Sequence, residues 1–385
     1  MLLYDDRTRA EIDFDALDNN FRILRALVKP QTRCMAMVKA DAYGHGAIPV
    51  ARELEKQGVD YLGVANIYEA AALREAGITA PVLILGYTPF ELTGELLKLG
   101  ITQTVQSLEH AKAYAAHAKE AGRTLRVHIK LDTGMSRCGI VCAPDPDAAA
   151  NEAAAICALD ALEVEGIFTH FAASEAEDGA YTAAQFSVFS SVLDKISAMG
   201  INIPIKHCAN SGAVLKYPYM HMDMVRLGLA LYGYSPLENG PDFGLVPVMR
   251  LCTRIEQLKT LPAGTKVSYG MTYTTKRQTR VAVLPIGYGD GLRRYYTEMS
   301  GVVRGRRAAQ IGRVCMDLCM LDVTDIPDAE EGDTVVLFGP KPYPTAEDFA
   351  RKDDISPYEL LTGISKRVLR IYLRGGEIVE RMCYV

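Results

Sequence analysis

The amino-acid sequence predicts an α/β protein, an N-terminal (β/α)8 TIM-type barrel followed by a C-terminal mostly-β domain. Three observations predict it. Up to about residue 234, short apolar, β-branched segments alternate with longer amphipathic ones, the rhythm of βα units around a parallel sheet. Beyond Pro247 that rhythm gives way to alternating segments separated by Gly and Pro turns. The 385-residue length exceeds what one hydrophobic core normally supports unless part of it is a large barrel.

Eight segments read as barrel strands: Cys34 to Val38, Tyr61 to Ala65, Pro81 to Leu85, Thr102 to Val105, Leu125 to Leu131, Val164 to Thr169, Pro204 to Cys208 and Met224 to Leu231. Eight is the number that closes such a barrel. Two of the segments are short, so a doubly wound open sheet stays as the alternative. Helical patterns rich in Ala, Leu, Glu and Lys lie between them, at Leu17 to Val28, Ile48 to Gln57, Glu69 to Ala76, Leu108 to Glu120 and Ala180 to Met199.

From Ser235 to Pro247, five Gly and Pro residues break any regular element, which places the domain boundary there: residues 1–238 as the barrel, 239–385 as the β domain. In the latter, Leu251 to Leu258, Arg280 to Pro285, Ala309 to Val314, Leu318 to Val323 and Thr334 to Phe338 read as strands.

Composition excludes several classes. Apolar residues at 49% and charged residues at 23% suit a globular chain, and a net charge of -5 offers no basic field for nucleic acid or anionic lipid. Nine cysteines follow no disulfide framework, and the pairs Cys138/Cys142 and Cys315/Cys319 lack the further Cys or His that zinc needs, so no metal is expected. Met1 to Arg9 carries four charges where a signal peptide needs an apolar core, and no apolar run is long enough to span a bilayer. The expectation is a cytoplasmic protein acting on a small molecule, away from membranes.

The densest chemical cluster, Val38-Lys39-Ala40-Asp41-Ala42-Tyr43-Gly44-His45-Gly46, follows the first predicted strand, where a barrel presents its reactive groups. A lysine at a strand end is ordinarily just solvated, so context decides. This stretch is similar to the lysine motif of the alanine racemase family. The similarity continues through Lys130-Leu131-Asp132-Thr133-Gly134-Met135-Ser136-Arg137, Thr169-His170-Phe171-Ala172 and His207-Cys208-Ala209-Asn210-Ser211. It runs on through Met224-Val225-Arg226-Leu227-Gly228, Val267-Ser268-Tyr269-Gly270, Gly287-Tyr288-Gly289-Asp290-Gly291 and Gly312-Arg313-Val314-Cys315-Met316-Asp317.

That resemblance implies a fold-type III enzyme using pyridoxal 5'-phosphate, a homodimer with composite active sites, and racemisation of a small amino acid. Lys39 matches the lysine that condenses with the cofactor aldehyde and then serves as a base. Both tasks need a neutral amine, and the cations Arg137 and Arg226 would favour one. Tyr43, Ser211, Gly228, Leu229 and Tyr358 match phosphate-binding positions, although Gly228 alone reads equally well as packing and Ser211 as a helix N-cap. Leu85 and Asn210 complete the cofactor-binding set.

Arg226 matches the residue facing the pyridine nitrogen. Arginine only donates hydrogen bonds, so that nitrogen would stay unprotonated, weakening the electron sink and favouring return of the proton to the same carbon. Racemisation needs a second proton exchanger on the opposite face, and Tyr269 of the other subunit matches it. A free tyrosine ionises only near pH 10, so the resemblance adds a relay through His170 to Arg226. Arg137 and Met316 match substrate-carboxylate contacts, Lys130 a lysine that can be carbamylated to orient Arg137, and Cys315 and Asp317 support them.

Two departures, Asp41 where relatives often have Asn and Val368-Leu369-Arg370 without a proline, are expected to lie away from the chemistry. Competing readings are a noncatalytic pyridoxal phosphate carrier, a decarboxylase of the same fold type, and a nucleotide loop at Gly287 to Gly291, whose spacing departs from G-x-G-x-x-G. A carrier of this kind would lack the second domain. Alanine is the expected substrate, with D-alanine supply for peptidoglycan as the role. Serine or a broader substrate range is the alternative, because a small pocket discriminates weakly against one hydroxyl.

Overall fold

A computed structural model describes residues 6–237, 240–296, 299–352 and 355–384. The point between residues 238 and 239 proposed as the domain boundary lies outside the described residues. Eight parallel strands form one sheet in the order Met224–Leu227, Arg33–Met37, Tyr61–Val64, Val82–Ile84, Thr102–Val105, Leu125–Asp132, Leu162–Phe168 and Ile205–His207. Met224–Leu227 pairs in parallel with Arg33–Met37, so the sheet curls round on itself, and this rules out the open doubly wound alternative. Two backbone bonds, from Asp223 N–H to the Lys206 carbonyl and from Arg226 N–H to that of Ala209, draw the remaining seam together.

Each of the eight segments read from the sequence corresponds to one of these strands. The last is shorter than expected, because Gly228 ends it and Leu229–Tyr232 continues as a 3-10 turn. Phe14–Ala26, which leads into the first barrel strand, is capped by the Asp13 carboxylate, and the crossover helix Leu108–Glu120 by Ser107, each cap accepting backbone N–H groups that have no partner inside the helix.

Within the barrel the usual patterning is inverted along Leu125–Asp132. Leu125, Val127, Ile129 and Leu131 alternate with Arg126, His128, Lys130 and Asp132. The polar series turns inward: His128 meets His207 across the interior, and Lys130 Nζ sits 4.9 Å from the centre of the Phe168 ring. Successive strand residues point to opposite faces, so the apolar series faces the helical layer.

The second sheet has ten strands, Gln257–Leu261, Thr279–Leu284, Cys319–Asp322, Arg306–Gln310, Ser300–Val303, Thr334–Phe338, Met249–Arg254, Thr8–Asp13, Leu369–Arg374 and Glu377–Met382, in spatial order. Residues 8–13, grouped with the barrel in the sequence, lie here instead, antiparallel to Met249–Arg254 and parallel to Leu369–Arg374. The expected strand Leu251 to Leu258 is two strands broken at Ile255 and Glu256. Gly287 to Gly291 is a turn: the Asp290 carboxylate accepts the Gly287 N–H and pairs with Arg367. Among the described residues, no helix is long and apolar enough to cross a membrane, and no cluster of three or more Cys, His, Asp or Glu is placed to hold a metal.

Candidate active site

The loops at the carboxyl ends of the barrel strands meet the C-terminal domain around a cleft of about 1220 Å³. Lys39, Tyr43, Leu85, Lys130, Arg137, His170, Asn210, Ser211, Arg226, Gly228, Leu229 and Tyr358 all line it. The barrel-borne residues singled out in the sequence are thus brought into one space.

Lys39 opens a tight turn that no ordinary propensity explains. Ala40, Asp41, Ala42 and Tyr43 all have φ between 50 and 55°, the left-handed region that costs L-residues roughly 1–2 kcal/mol each. Such a turn has to be held from outside. The Ala40 N–H donates to Glu69, Asp41 accepts from the Ala47 N–H and from the Tyr384 hydroxyl, and the buried Arg370 guanidinium donates to the Gly44 carbonyl. Gly44 comes so close to Leu361 that a Cβ there would lie 2.2 Å from the Leu361 carbonyl oxygen. Asp41 and Arg370, expected to be remote from the chemistry, therefore grip the loop that aims its lysine.

The cleft is electropositive. Burial, then Arg137, lower the proton affinity of Lys39; Glu69 opposes them, and Arg226 adds a smaller lowering effect. Burial and the same two arginines lower that of Lys130 to about 7, although Cys138 and Asp132 oppose them, and its Nζ has no hydrogen-bond partner. Asp132 shapes the next loop by accepting the N–H groups of Gly134, Ser136 and Arg137, which leaves the Arg137 side chain free to project.

Arg226 is 4% exposed and touches no carboxylate. One terminal nitrogen contacts His207 Nδ1 at 3.0 Å, and the other donates to the carbonyls of Thr169 and Cys208 and lies 3.2 Å from His170 Nδ1. The expected meeting of His170 with Arg226 is therefore present. Burial, then Arg226, Lys130, Arg137 and Lys39, hold His170 well below its usual pKa, so its imidazole is neutral and accepts from the arginine.

The Ser211 hydroxyl accepts the Gly228 and Ala230 N–H groups, leaving its own hydrogen to donate. A Cβ on Gly228 would stand 3.3 Å from the Tyr43 hydroxyl and 3.6 Å from Ser211 Oγ, so bare backbone keeps this cradle open. The Tyr43 and Tyr358 rings lie side by side with centres 5.3 Å apart. Asn210, not Ser211, caps the following helix Ser211–Lys216; its side-chain oxygen accepts the Ala213 N–H and the Ser174 hydroxyl. This frees Ser211 to face the cleft.

Tyr269, Met316, Cys315 and Asp317 are elsewhere, together on the C-terminal domain and away from the cleft lining. Tyr269 is 66% exposed and Met316 54%. The strained Ser268, at φ 65°, donates its hydroxyl to the Arg313 carbonyl and lies 3.5 Å from Cys315 Sγ, locking the tyrosine loop to the 313–317 loop. Asp317 pairs with Arg367 at 2.7 Å. His128, Glu165 and His207, absent from the sequence-derived site, join Arg226 below the cleft; the polar alternation along Leu125–Asp132 was the available signal.

A barrel whose mouth holds a deprotonation-prone lysine, a hydroxyl-and-amide cradle for an oxyanion and a carboxylate-free arginine defines a class of anion-binding, lysine-dependent enzyme. Comparison with known proteins narrows the class. Residues 12–236 match the family model for the alanine racemase N-terminal domain, and residues 248–372 that for its C-terminal domain. The chain is 44% identical to an alanine racemase of Desulfovibrio desulfuricans, over 97% of this chain and all of that one. An alanine racemase structure from Clostridium difficile 630 superposes with a TM-score of 0.94 at 38% identity, covering 98% of this chain and 99% of the other. One from Bacillus anthracis, with bound L-Ala-P, gives 0.93 at 32% identity, covering 100% and 99%. The chain belongs to the alanine racemase family.

Proposed function

We propose that this chain interconverts L-alanine and D-alanine with pyridoxal 5'-phosphate, as a cytoplasmic homodimer that supplies D-alanine for peptidoglycan. One observation carries the mechanism: Lys39 and Arg226 share a cleft in which cations crowd one another and the arginine has no acid beside it. The family match and the Bacillus anthracis structure with its bound L-Ala-P support alanine as substrate. Nine cysteines that follow no disulfide framework suit a reducing compartment.

The residues fit the cofactor. Ser211, Tyr43 and Tyr358 with the amides of Gly228 and Leu229 would hold its phosphate, Arg226 its ring nitrogen, Arg137 its phenolic oxygen and Lys39 its aldehyde carbon; Leu85 and Asn210 border the same space. When bound, the cofactor supplies an electron sink that lowers the cost of removing the substrate's α-proton. Lys39 Nζ, whose proton affinity is lowered by burial and then by Arg137, takes or returns that proton on one face of the α-carbon. Tyr269 of the partner subunit exchanges a proton on the other face, with His170 and Arg226 available to support it. Arg226, a donor only, would leave the cofactor's ring nitrogen without a proton and so limit side reactions. Met316 of the partner subunit and Arg137 would receive the substrate carboxylate, with Cys315 and Asp317 setting the Met316 loop. The neutral fraction of Lys130, with its orphaned Nζ, suits reaction with carbon dioxide to a carbamate that would orient Arg137.

The test is to load purified protein with pyridoxal phosphate, add each enantiomer of alanine and of serine separately, and follow inversion by chiral chromatography. The expected result is rapid inversion of alanine from either side and slower inversion of serine. No inversion of alanine would overturn the proposal, and faster inversion of serine would transfer it to the broader racemase reading.

A further inference from the structure

Below the cleft, a file of polar side chains crosses the barrel interior. Arg226 Nη1 lies 3.0 Å from His207 Nδ1, His207 Nε2 lies 2.9 Å from His128 Nδ1, and His128 Nε2 faces Glu165 Oε2 at 3.5 Å. The same carboxylate oxygen accepts the Tyr61 hydroxyl at 2.5 Å, and the Glu165 side chain retains 19% exposure. Both imidazoles are fully buried.

Donor logic fixes every proton in this file. Arginine has no acceptor, so His207 Nδ1 must accept and its proton must sit on Nε2. That N–H donates to His128 Nδ1, so the His128 proton is also on Nε2, which has no hydrogen-bond partner among the described residues and faces the Glu165 carboxylate at 3.5 Å. Both histidines are neutral, because burial and then Arg226 lower His207 and burial lowers His128 against the pull of Glu165. Reversing His207 would set its N–H against the guanidinium, and reversing His128 would set its N–H against that of His207; either clash leaves a buried donor unpaired, a cost of about 1–3 kcal/mol.

The backbone is adapted to this file. Barrel interiors are ordinarily filled by branched apolar side chains. Here Gly166 stands mid-strand, where a Cβ would come within 2.5 Å of the His128 ring, and the register between the two strands shifts between Val127 and His128. Glycine weakens a strand, so its place here is explained by the room it gives the imidazole.

We infer that Glu165 is a positioning residue for Arg226, acting through His128 and His207: its carboxylate, 3.5 Å from His128 Nε2, favours a proton on that nitrogen and so reinforces the tautomer that offers the guanidinium a lone pair, which fixes how the guanidinium faces the cleft. The catalytic consequence rests on the proposed placement of Arg226 at the cofactor's ring nitrogen; the tautomer assignment does not.

The experiment uses the full-length protein labelled with ¹⁵N-histidine and free of cofactor, in three forms: unaltered, Glu165→Met and Glu165→Gln. Glutamine keeps an oxygen able to take both the Tyr61 and His128 contacts, whereas methionine removes it. In the unaltered protein the His128 and His207 signals should show protonated Nε2 and bare Nδ1. Glu165→Gln should preserve that pattern and keep kcat for alanine within about two-fold, whereas Glu165→Met should mix the tautomers and lower kcat about ten-fold with little change in KM. A protonated Nδ1 on His207 in the unaltered protein, or an unchanged pattern in Glu165→Met, would overturn the inference, as would a loss in Glu165→Gln equal to that in Glu165→Met. If the unaltered enzyme fails to invert alanine, the functional reading falls while the nitrogen shifts still decide the inference.

Discussion

The mouth of the barrel and the exposed loops of the C-terminal domain hold the two sets of residues assigned to the chemistry, under opposite conditions. At the mouth, Lys39, Lys130, His170 and Arg226 are crowded, and burial with mutual repulsion drives every one of them toward its neutral form. On those loops, Tyr269 and Met316 stand out into solvent, yet the backbone beneath them is strained at Ser268 and pinned to the 313–317 loop. Strain is retained where the surroundings over-determine it and tends to gather at functional sites. A sheltered half-site with one proton exchanger, and a rigid but uncovered second one, are complementary under two-fold symmetry, which places the same patch of each subunit against the other.

Substitutions can break that comparison at either end. The largest effect is expected for Lys39→Ala, which should lower racemisation from both enantiomers by at least about 10³-fold, since it removes the cofactor anchor and one base together. Circular dichroism should be unchanged, and residual inversion near the normal rate would show that the cleft is not the reaction site. Tyr269→Phe should cost about 10²-fold or more in inversion. In deuterated water it should still exchange the α-proton of one enantiomer through Lys39, so equal loss of exchange from both enantiomers would mean that the phenol acts on neither face alone.

Lys130 sharpens the electrostatic side of the comparison. Its folded-state pKa of about 7 lies below the 10.4 of a free lysine, so the folded protein binds fewer protons between those values and the buried charge is most costly below pH 7. Lys130→Met should therefore gain stability at pH 6, on the order of a few kcal/mol in carbonate-free buffer, and progressively less toward pH 10. Urea titrations at several pH values would reveal this, and a pH-independent difference would contradict the depressed pKa. The smallest effect is mechanical: Gly44→Ala, at φ 81° and against the Leu361 carbonyl, should cost about 1–3 kcal/mol. Gly58→Ala, at a similar φ but facing open space, should cost less, and the difference measures how firmly the C-terminal segment clamps the Lys39 loop.

Much of this arrangement was legible in the sequence, for identifiable reasons. The eight barrel strands announce themselves because each has apolar, β-branched residues bounded by turns. Closure of the barrel was not legible, since it depends on Met224–Leu227 finding Arg33–Met37 across nearly 200 residues. Thr8–Asp13 carries charges at alternate positions, Leu369–Arg374 carries them at its second and last, and the two pair with each other across most of the chain, so neither betrayed its sheet locally.

In the site, residues inside the recognised motifs were found, whereas His128 and Glu165 were not. Polar residues at alternate strand positions ordinarily mark a solvent face, and in this barrel they mark the interior. The grip of Arg370 on Gly44 was equally hidden, because a buried arginine satisfied by backbone carbonyls leaves no charged partner in the sequence to suggest it.

The central claim, that one lysine and the other subunit's tyrosine together make a working site, is tested most directly by mixing two dead proteins. Lys39→Ala and Tyr269→Phe subunits, co-refolded or exchanged in equal amounts, should regain up to about a quarter of normal alanine racemisation, because half of the dimers are mixed and one site in each is intact. If subunit exchange is shown by mass and the mixture stays as inactive as its parents, the two residues do not meet across a dimer and the account is wrong.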